Sequence, residues 1–306
     1  MKISIVGAGG IGGYYGGLLA RAGNQVSILA RGEHLQTIRE RGLEVIMPGD
    51  RFTAKVIAAE WPEELAGAEL AIVAVKSYSL PEVVPAIRML GEKGSVVLPL
   101  LNGVDTVQKL VEGGVPKDTI LGGLTTISVV KTTPGVIERR SSFAKLVLGE
   151  PSGGISERAN RIADVFVEAG VDAKATENIT LELWRKFAFI ATLAASCGLA
   201  RVAIGPVRNA PQGDLLLERS VREIAAVANA QSVRFAEADI QQTLTTIQGL
   251  APEMKPSFLL DLERGGPTEL EILSGAISRM GKESRIQTPV HDTATAALAA
   301  AIGAAA

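Results

Sequence analysis

The chain has 306 residues, a formal net charge of −2 and a single cysteine, Cys197. No basic excess is available to drive phosphate-backbone binding, which argues against a nucleic-acid partner, and one thiol excludes an internal disulfide or a cysteine-rich metal site. The longest uncharged apolar stretch, Phe187 to Ala200, falls short of the ~20 residues a bilayer span needs. Since Met1 leads directly into a strand, leaving no room for a signal peptide, a soluble cytoplasmic protein with no membrane partner is expected.

Lys2 to Val6 is a short apolar run of strand-forming residues that empties into Gly7-Ala8-Gly9-Gly10-Ile11-Gly12. A helical pattern (Ile11, Tyr15, Leu18, Leu19, Ala22) follows, closed by Gly23, and Gln25 to Ala30 reads as a second buried strand. Strand, G-x-G-x-x-G turn, helix and strand make the dinucleotide-binding βαβ unit. Gly7 permits the tight turn, Gly9 lets a pyrophosphate approach the backbone, and Gly12 lets helix and strand pack closely. The phosphates rest on the unsatisfied N–H groups of the Gly10-Ile11-Gly12 turn.

The end of the second strand selects the cofactor. An NAD site carries Asp or Glu there for the ribose hydroxyls, whereas an NADP site has an Arg nearby for the 2′-phosphate. This chain has Ala30-Arg31-Gly32, with no acid before Glu33. A guanidinium matches a phosphate bidentately, so NADP(H) is expected; the alternative is a solvated Arg on a surface turn.

Further on, the pattern predicts a helix over 33–41 and strands over 43–47 and 52–57 around the turn Pro48-Gly49-Asp50. A fully apolar strand over 70–75, a helix over 79–90 and a strand over 95–99 follow. Alternating strands and helices imply a doubly wound parallel sheet. Strand-rich segments over 125–130, 136–138 and 145–148, a helix over 156–169 and a strand over 171–175 complete this half. Only helices are expected afterwards, over 178–195, 214–230, 236–248 and 255–264, then one from Thr268 stopped by Gly281, and a last one from Thr288-Pro289 into an Ala-rich end, Ala294 to Ala306. The expected organisation is an α/β Rossmann-type domain over 1–176, then an all-α domain over 177–306 that carries substrate and catalysis. The Ala-rich second half is compatible with a homodimer.

Lys76 ends its strand on the edge that faces the cofactor, where it meets phosphate or adenine, or is an ordinary strand-end Lys. Asn102-Gly103 lies on the same edge and is either generic turn chemistry or ligand-facing. Lys186 has Leu183, Phe189, Ile190 and Glu182 as helical neighbours. Desolvation among them lowers a lysine pKa from its usual ~10.4 toward neutrality, where the group donates a proton. The alternative is a Lys snorkelling to water. Ser257 follows Pro256 at a helix start and is either a small-carboxylate site or plain capping. Thr268 and Glu271 fit a T-x-x-E capping box, which leaves Glu269 without a capping duty, either directed elsewhere or on the surface. Asp261 and Glu263 read as a solvated helix face. His34 and His291 lie in no motif and read as structural or solvated.

In order and spacing, Gly7 to Gly12, Leu29-Ala30-Arg31-Gly32, Val75-Lys76, Asn102-Gly103-Val104, Leu183 to Phe187, and Pro256-Ser257 through Pro267-Thr268-Glu269 resemble the ketopantoate reductase (2-dehydropantoate 2-reductase) family over nearly the whole chain. The resemblance implies NADPH-dependent reduction of ketopantoate to D-pantoate, a step toward pantothenate and coenzyme A. It also implies that Arg31 and Lys76 serve the cofactor and that Lys186 is the general acid. By the same resemblance Asn102 lines the nicotinamide and substrate region, Ser257 binds substrate, and Glu269 holds substrate or Lys186. Ile190, Ala194 and Met254 depart from it, standing where the family often has asparagines that contact substrate. A more apolar 2-oxo acid or ketone is therefore a second reading, and a non-catalytic NADP(H) sensor a third.

Overall fold

In the computed structural model, which describes residues 1–303, the chain starts as the pattern demands: β1 (Lys2–Val6), α1 (Gly10–Arg21), β2 (Gln25–Leu29) and α2 (Gly32–Arg41). There follow β3 (Leu43–Met47), β4 (Asp50–Ala54), β5 (Ile57–Ala59), β6 (Leu70–Val73), α3 (Leu80–Glu92), β7 (Val96–Pro99) and α4 (Thr106–Glu112). Next come β8 (Gly122–Thr126), β9 (Val129–Thr133), β10 (Val136–Arg139), β11 (Lys145–Gly149), α5 (Glu157–Glu168) and β12 (Asp172–Ala175). The helices are α6 (Ile179–Ala200), α7 (Ile204–Asn209), α8 (Gly213–Ala230), α9 (Glu237–Gln248), α10 (Ser257–Glu263), α11 (Ala276–Ser284) and α12 (Pro289–Gly303). Two compact units result, Met1–Thr180 and Leu181–Ala306. The fold class is the expected one, a parallel sheet with helices and then a helical unit.

The first unit is organised by a parallel sheet of order β5-β2-β1-β6-β7. Both faces are covered, so its strands are apolar on both sides. Ile3, Ile5, Ile28, Ile72 and Leu98 join the core with Tyr15 and Leu19 of α1 and Phe166 of α5. Val6, Leu29, Ala71, Val73 and Val97 form the other core with Leu80, Val83, Ile87 and Leu90 of α3. A second sheet, β4-β3-β10-β9, and a third, β12-β11-β8, complete the unit.

Helix α1 lies between the first two sheets, which accounts for its glycines. A Cβ on Gly16 would come within 2.9 Å of Ile28 in the parallel sheet, and one on Gly12 within 2.0 Å of the Gly7 carbonyl oxygen. On the other side, Cβ atoms on Gly13 and Gly17 would stand 2.7 Å from Ile137 and 2.5 Å from Val45 of the second sheet. Two i, i+4 pairs thus let one helix be approached closely from two directions.

Several expected elements differ. The strand expected over 52–57 is two strands: β4 pairs antiparallel with β3, whereas β5 joins β2 in the parallel sheet. The segment expected over 125–130 is likewise the break between β8 and β9, which lie in different sheets. Helices α4 and α7, of 7 and 6 residues, were not anticipated. Gly281 does not end its helix. It is small because a Cβ would approach Thr288 Cγ2 to 2.8 Å, and Arg285, with φ of 59°, provides the left-handed C-cap. The Thr268–Glu271 capping box does not form. The segment opens as a π-helical turn, Glu271–Gly275, after Leu270, with no side-chain cap. Helix α6 has 22 residues and is long and apolar enough to cross a membrane, but most of its apolar length is buried inside the protein. Of the expected terminal helix, Ala304 to Ala306 lie outside the described residues.

Candidate functional site

Four of the singled-out positions emerge from one edge of the parallel sheet. Register pairs Val6 with Leu29 and with Val73, and Val73 with Pro99, so the strand ends that lead into the Gly7 loop, Arg31, Lys76 and Asn102 lie side by side. Ligands of open α/β sheets bind outside this carboxyl edge. The loop itself is fixed from behind. Gly7 has φ of +109°, and a Cβ there would lie 2.7 Å from Val75 and 2.8 Å from the Ala74 carbonyl oxygen. Gly9 caps α1, and the first intrahelical bond runs from Gly13 N–H to the Gly9 carbonyl at 2.8 Å. The N–H groups of Gly10, Ile11 and Gly12 are those a helix start leaves without intrahelical acceptors. A Cβ on Gly9 would meet nothing within 4 Å. This open cradle over a helix N-terminus fits a dinucleotide's pyrophosphate.

Arg31 is exposed as the N-cap residue of α2, and its guanidinium lies 3.7 Å from the Glu82 carboxylate in the first turn of α3. Lys76 is exposed, and Asn102 is half-buried before Gly103, whose φ is +109°.

The helical unit holds Lys186, Ser257 and Glu269. Lys186 is half-buried on α6, between the buried Trp184 and Phe187. Burial pushes its ammonium down to about 8, and the carboxylate of Glu269 opposes that shift. Glu269 is itself buried, at 5% exposure, so its surface alternative does not hold. The Glu182 carboxylate, a helical neighbour of Lys186, instead accepts from Arg185 at 2.8 Å, and Arg185 also pairs with Asp239 at 2.6 Å. Pro256 is the N-cap of α10, and Ser257, its first residue, is exposed. Ile190 is half-buried, Ala194 fully buried and Met254 half-buried. Asp261 is half-buried, not solvated as expected, while Glu263 is exposed and pairs with Lys255 at 2.7 Å.

The family model described as "Ketopantoate reductase PanE/ApbA" matches residues 3–153, and its C-terminal counterpart matches residues 178–301. The chain belongs to the ketopantoate reductase family. A 2-dehydropantoate 2-reductase of Halobacterium salinarum is 33% identical over 298 residues, 96% of both chains. One of Mesorhizobium japonicum is 34% identical, covering 97% of this chain and 96% of its own. Among solved structures, a PanE/ApbA family ketopantoate reductase from Ralstonia eutropha superposes with a TM-score of 0.91 at 26% identity, over 100% of this chain and 99% of that one. A D-mandelate dehydrogenase solved with NADH and anilino(oxo)acetate gives 0.89 at 27% identity, over 100% and 99%. As a ketopantoate reductase family member the protein is an oxidoreductase of the nicotinamide-cofactor type.

Two residues beside the family's cofactor loop were not singled out for it. His34 is buried, at 7% exposure, and hydrogen-bonds the loop directly. The available signal was helical spacing, which puts His34, Leu35 and Ile38 on one inward face. Glu82 carried no local signal, because its proximity to Arg31 is created by the sheet.

Proposed function

We propose that the protein reduces a 2-oxo acid with NADPH, ketopantoate to D-pantoate being the reaction that the family's named members favour. When bound, the reduced nicotinamide supplies the hydride. Arg31 takes the 2′-phosphate, the N–H groups of Gly10, Ile11 and Gly12 with Gly7 and Gly9 hold the pyrophosphate, and Lys76 and Asn102 line the same strand edge. In this reading residues 1–176 are the cofactor domain and 177–306 the substrate domain. Lys186 delivers a proton to the substrate's carbonyl oxygen, Glu269 keeps Lys186 charged, and Ser257 and Asn102 bind substrate. The reaction belongs in the cytoplasm, where reduced cofactor is supplied.

The observation that carries the reading is the Lys186 ammonium, brought down to about 8 by burial with the Glu269 carboxylate acting on it. A group in that range is mostly protonated at neutral pH yet gives its proton up readily, as a general acid must. Until it gives up that proton, the ammonium also stabilises the negative charge developing on the carbonyl oxygen.

A second reading keeps the chemistry and changes the substrate to a more apolar 2-oxo acid or ketone. It is favoured by Ile190, Ala194 and Met254, which provide hydrocarbon and no amide.

The test is NADPH oxidation over a panel of 2-oxo acids and ketones that includes ketopantoate. The first reading expects the highest kcat/KM with ketopantoate, the second with a more apolar member, and no turnover with any member defeats both. With the best substrate, Lys186→Ala should lower kcat by about two to four orders of magnitude while NADPH binding is retained. Near-normal turnover removes Lys186 from the mechanism.

A further inference from the structure

His34 lies in the first turn of α2, three residues after Arg31, and both its ring nitrogens are engaged. The backbone N–H of Gly135 donates to Nδ1 at 2.8 Å, and Nε2 lies 2.8 Å from the carbonyl oxygen of Ala8. Because Nδ1 accepts, Nε2 carries the proton and donates to Ala8, which fixes the tautomer. Only the neutral ring satisfies both partners, and burial favours that form by lowering the pKa.

Three segments of the chain meet at this ring. Ala8 sits inside the cofactor loop, between Gly7 and Gly9. Gly135 lies in the turn between β9 and β10, where its carbonyl accepts from Glu44 N–H at 2.9 Å. That turn is pressed onto α2: a Cβ on Gly135 would come within 2.5 Å of Thr37 Cγ2. The third segment is α2 itself, whose N-cap is Arg31. Two further contacts back the loop without reaching α2, the Val75 and Ala74 atoms behind Gly7 and the Val129 carbonyl 2.7 Å from a Cβ on Gly10.

We infer that His34 is a positioning residue of the cofactor site: it ties the Ala8 carbonyl of the glycine loop to the helix that begins at Arg31, so that the loop facing the pyrophosphate and the guanidinium facing the 2′-phosphate are held at one separation. The inference rests on the NADPH reading above. A ligand with two anionic groups binds best when both receiving points are preset, since the cost of ordering them is then not drawn from the binding energy. Leucine at this position would also strand the Gly135 donor and the Ala8 acceptor, whereas the amide of glutamine offers one donor and one acceptor.

The test uses the full chain with His34→Leu and His34→Gln, measuring KM for NADPH, kcat at saturation and NADP⁺ affinity by protein fluorescence. The expected result is a rise of about tenfold or more in KM and Kd for H34L with kcat within about twofold, and recovery of most of the affinity in H34Q. A residue needed for folding alone would lower thermal stability without this split between KM and kcat. Should H34L not fold, His34→Asn, too short to reach both partners, must show the same rise. Unchanged cofactor affinity in H34L, or equal losses in the leucine and glutamine variants, overturns the inference. Wild-type protein that binds no NADP(H) at all defeats the cofactor reading instead.

Discussion

Two influences act in opposite senses on the proton of Lys186. Burial disfavours the ammonium, the Glu269 carboxylate favours it, and the balance leaves the group at about 8. With Lys186 as the proposed acid, which must carry its proton to react, reduction should be fast below this value and fall as pH rises through it. In Glu269→Gln only the desolvating influence remains, so the descending limb of the kcat/KM profile should move to lower pH, with activity at pH 6 closer to wild type than activity at pH 8. Superimposable profiles would reduce Glu269 to a packing residue. Arg31 presents a similar contest at the cofactor end, because Glu82 already faces its guanidinium. An exposed pair of this kind contributes little to stability, but it sets a carboxylate beside the place proposed for the 2′-phosphate. Arg31→Ala should raise KM for NADPH far more than KM for NADH, and Glu82→Gln should lower KM for NADPH with NADH unaffected. Equal effects on both cofactors in each variant would show that neither residue reads the 2′-phosphate.

At the scale of the element, helix α1 joins packing to function. Gly12 and Gly9 are both motif glycines, yet their surroundings differ. A methyl group on Gly12 would collide with the Gly7 carbonyl, which is backbone and cannot swing away, whereas one on Gly9 would enter open space. Gly12→Ala should therefore lower the melting temperature and displace the loop. Gly9→Ala should fold with wild-type stability and still lose NADPH affinity by tenfold or so, about 1.4 kcal/mol, because the added methyl occupies the cradle. Thermal melts with and without NADPH separate the two, and a G9A protein with normal affinity would contradict a pyrophosphate at this position. The first βαβ unit was legible in the sequence because its signals are local: apolar period, glycine spacing and a closing Gly23. What escaped depended on partners remote in sequence. The break between β4 and β5 follows from one strand pairing with β3 and the other with β2. Gly281 resembles a helix stop until Thr288 is brought against it. Lys186 could be picked out by its apolar neighbours on one helix, but Glu269, more than eighty positions away, becomes its electrostatic partner only through the packing of the helical unit. For the same reason His34, with ligands on Ala8 and Gly135, reads locally as a histidine in no motif.

For the molecule as a whole, one contribution to acid stability comes from a buried polar chain within the helical unit. Thr192 of α6 and Ser220 of α8 share a hydrogen bond of 2.8 Å, Ser220 Oγ lies 3.0 Å from His291 Nε2 in α12, and His291 Nδ1 lies 3.2 Å from Ser274 Oγ in the π-helical turn. His291 is fully buried, and desolvation pushes its pKa down to about 4, against Ser220 and Asp292, which raise it. In the unfolded chain a histidine titrates near 6.5. Between these values the unfolded state binds the proton and the folded state refuses it, so the stability this ring contributes is complete above pH ~6.5 and drains away as pH falls toward 4. The total is about 3 kcal/mol, a large share of the roughly 5–15 kcal/mol that holds a typical domain. Glu223 works against this trend. Burial raises its carboxyl pKa while it accepts from the Val290 and His291 N–H groups at the start of α12, so the folded state takes up that proton first as pH drops. The net expectation is a urea midpoint that decreases from pH 7 to pH 4.5. His291→Gln should be less stable at pH 7, where the native network is lost, but should show a clearly shallower fall over the same interval. If the wild-type and H291Q midpoints decline in parallel, acid sensitivity arises elsewhere and the buried imidazole is only a packing group.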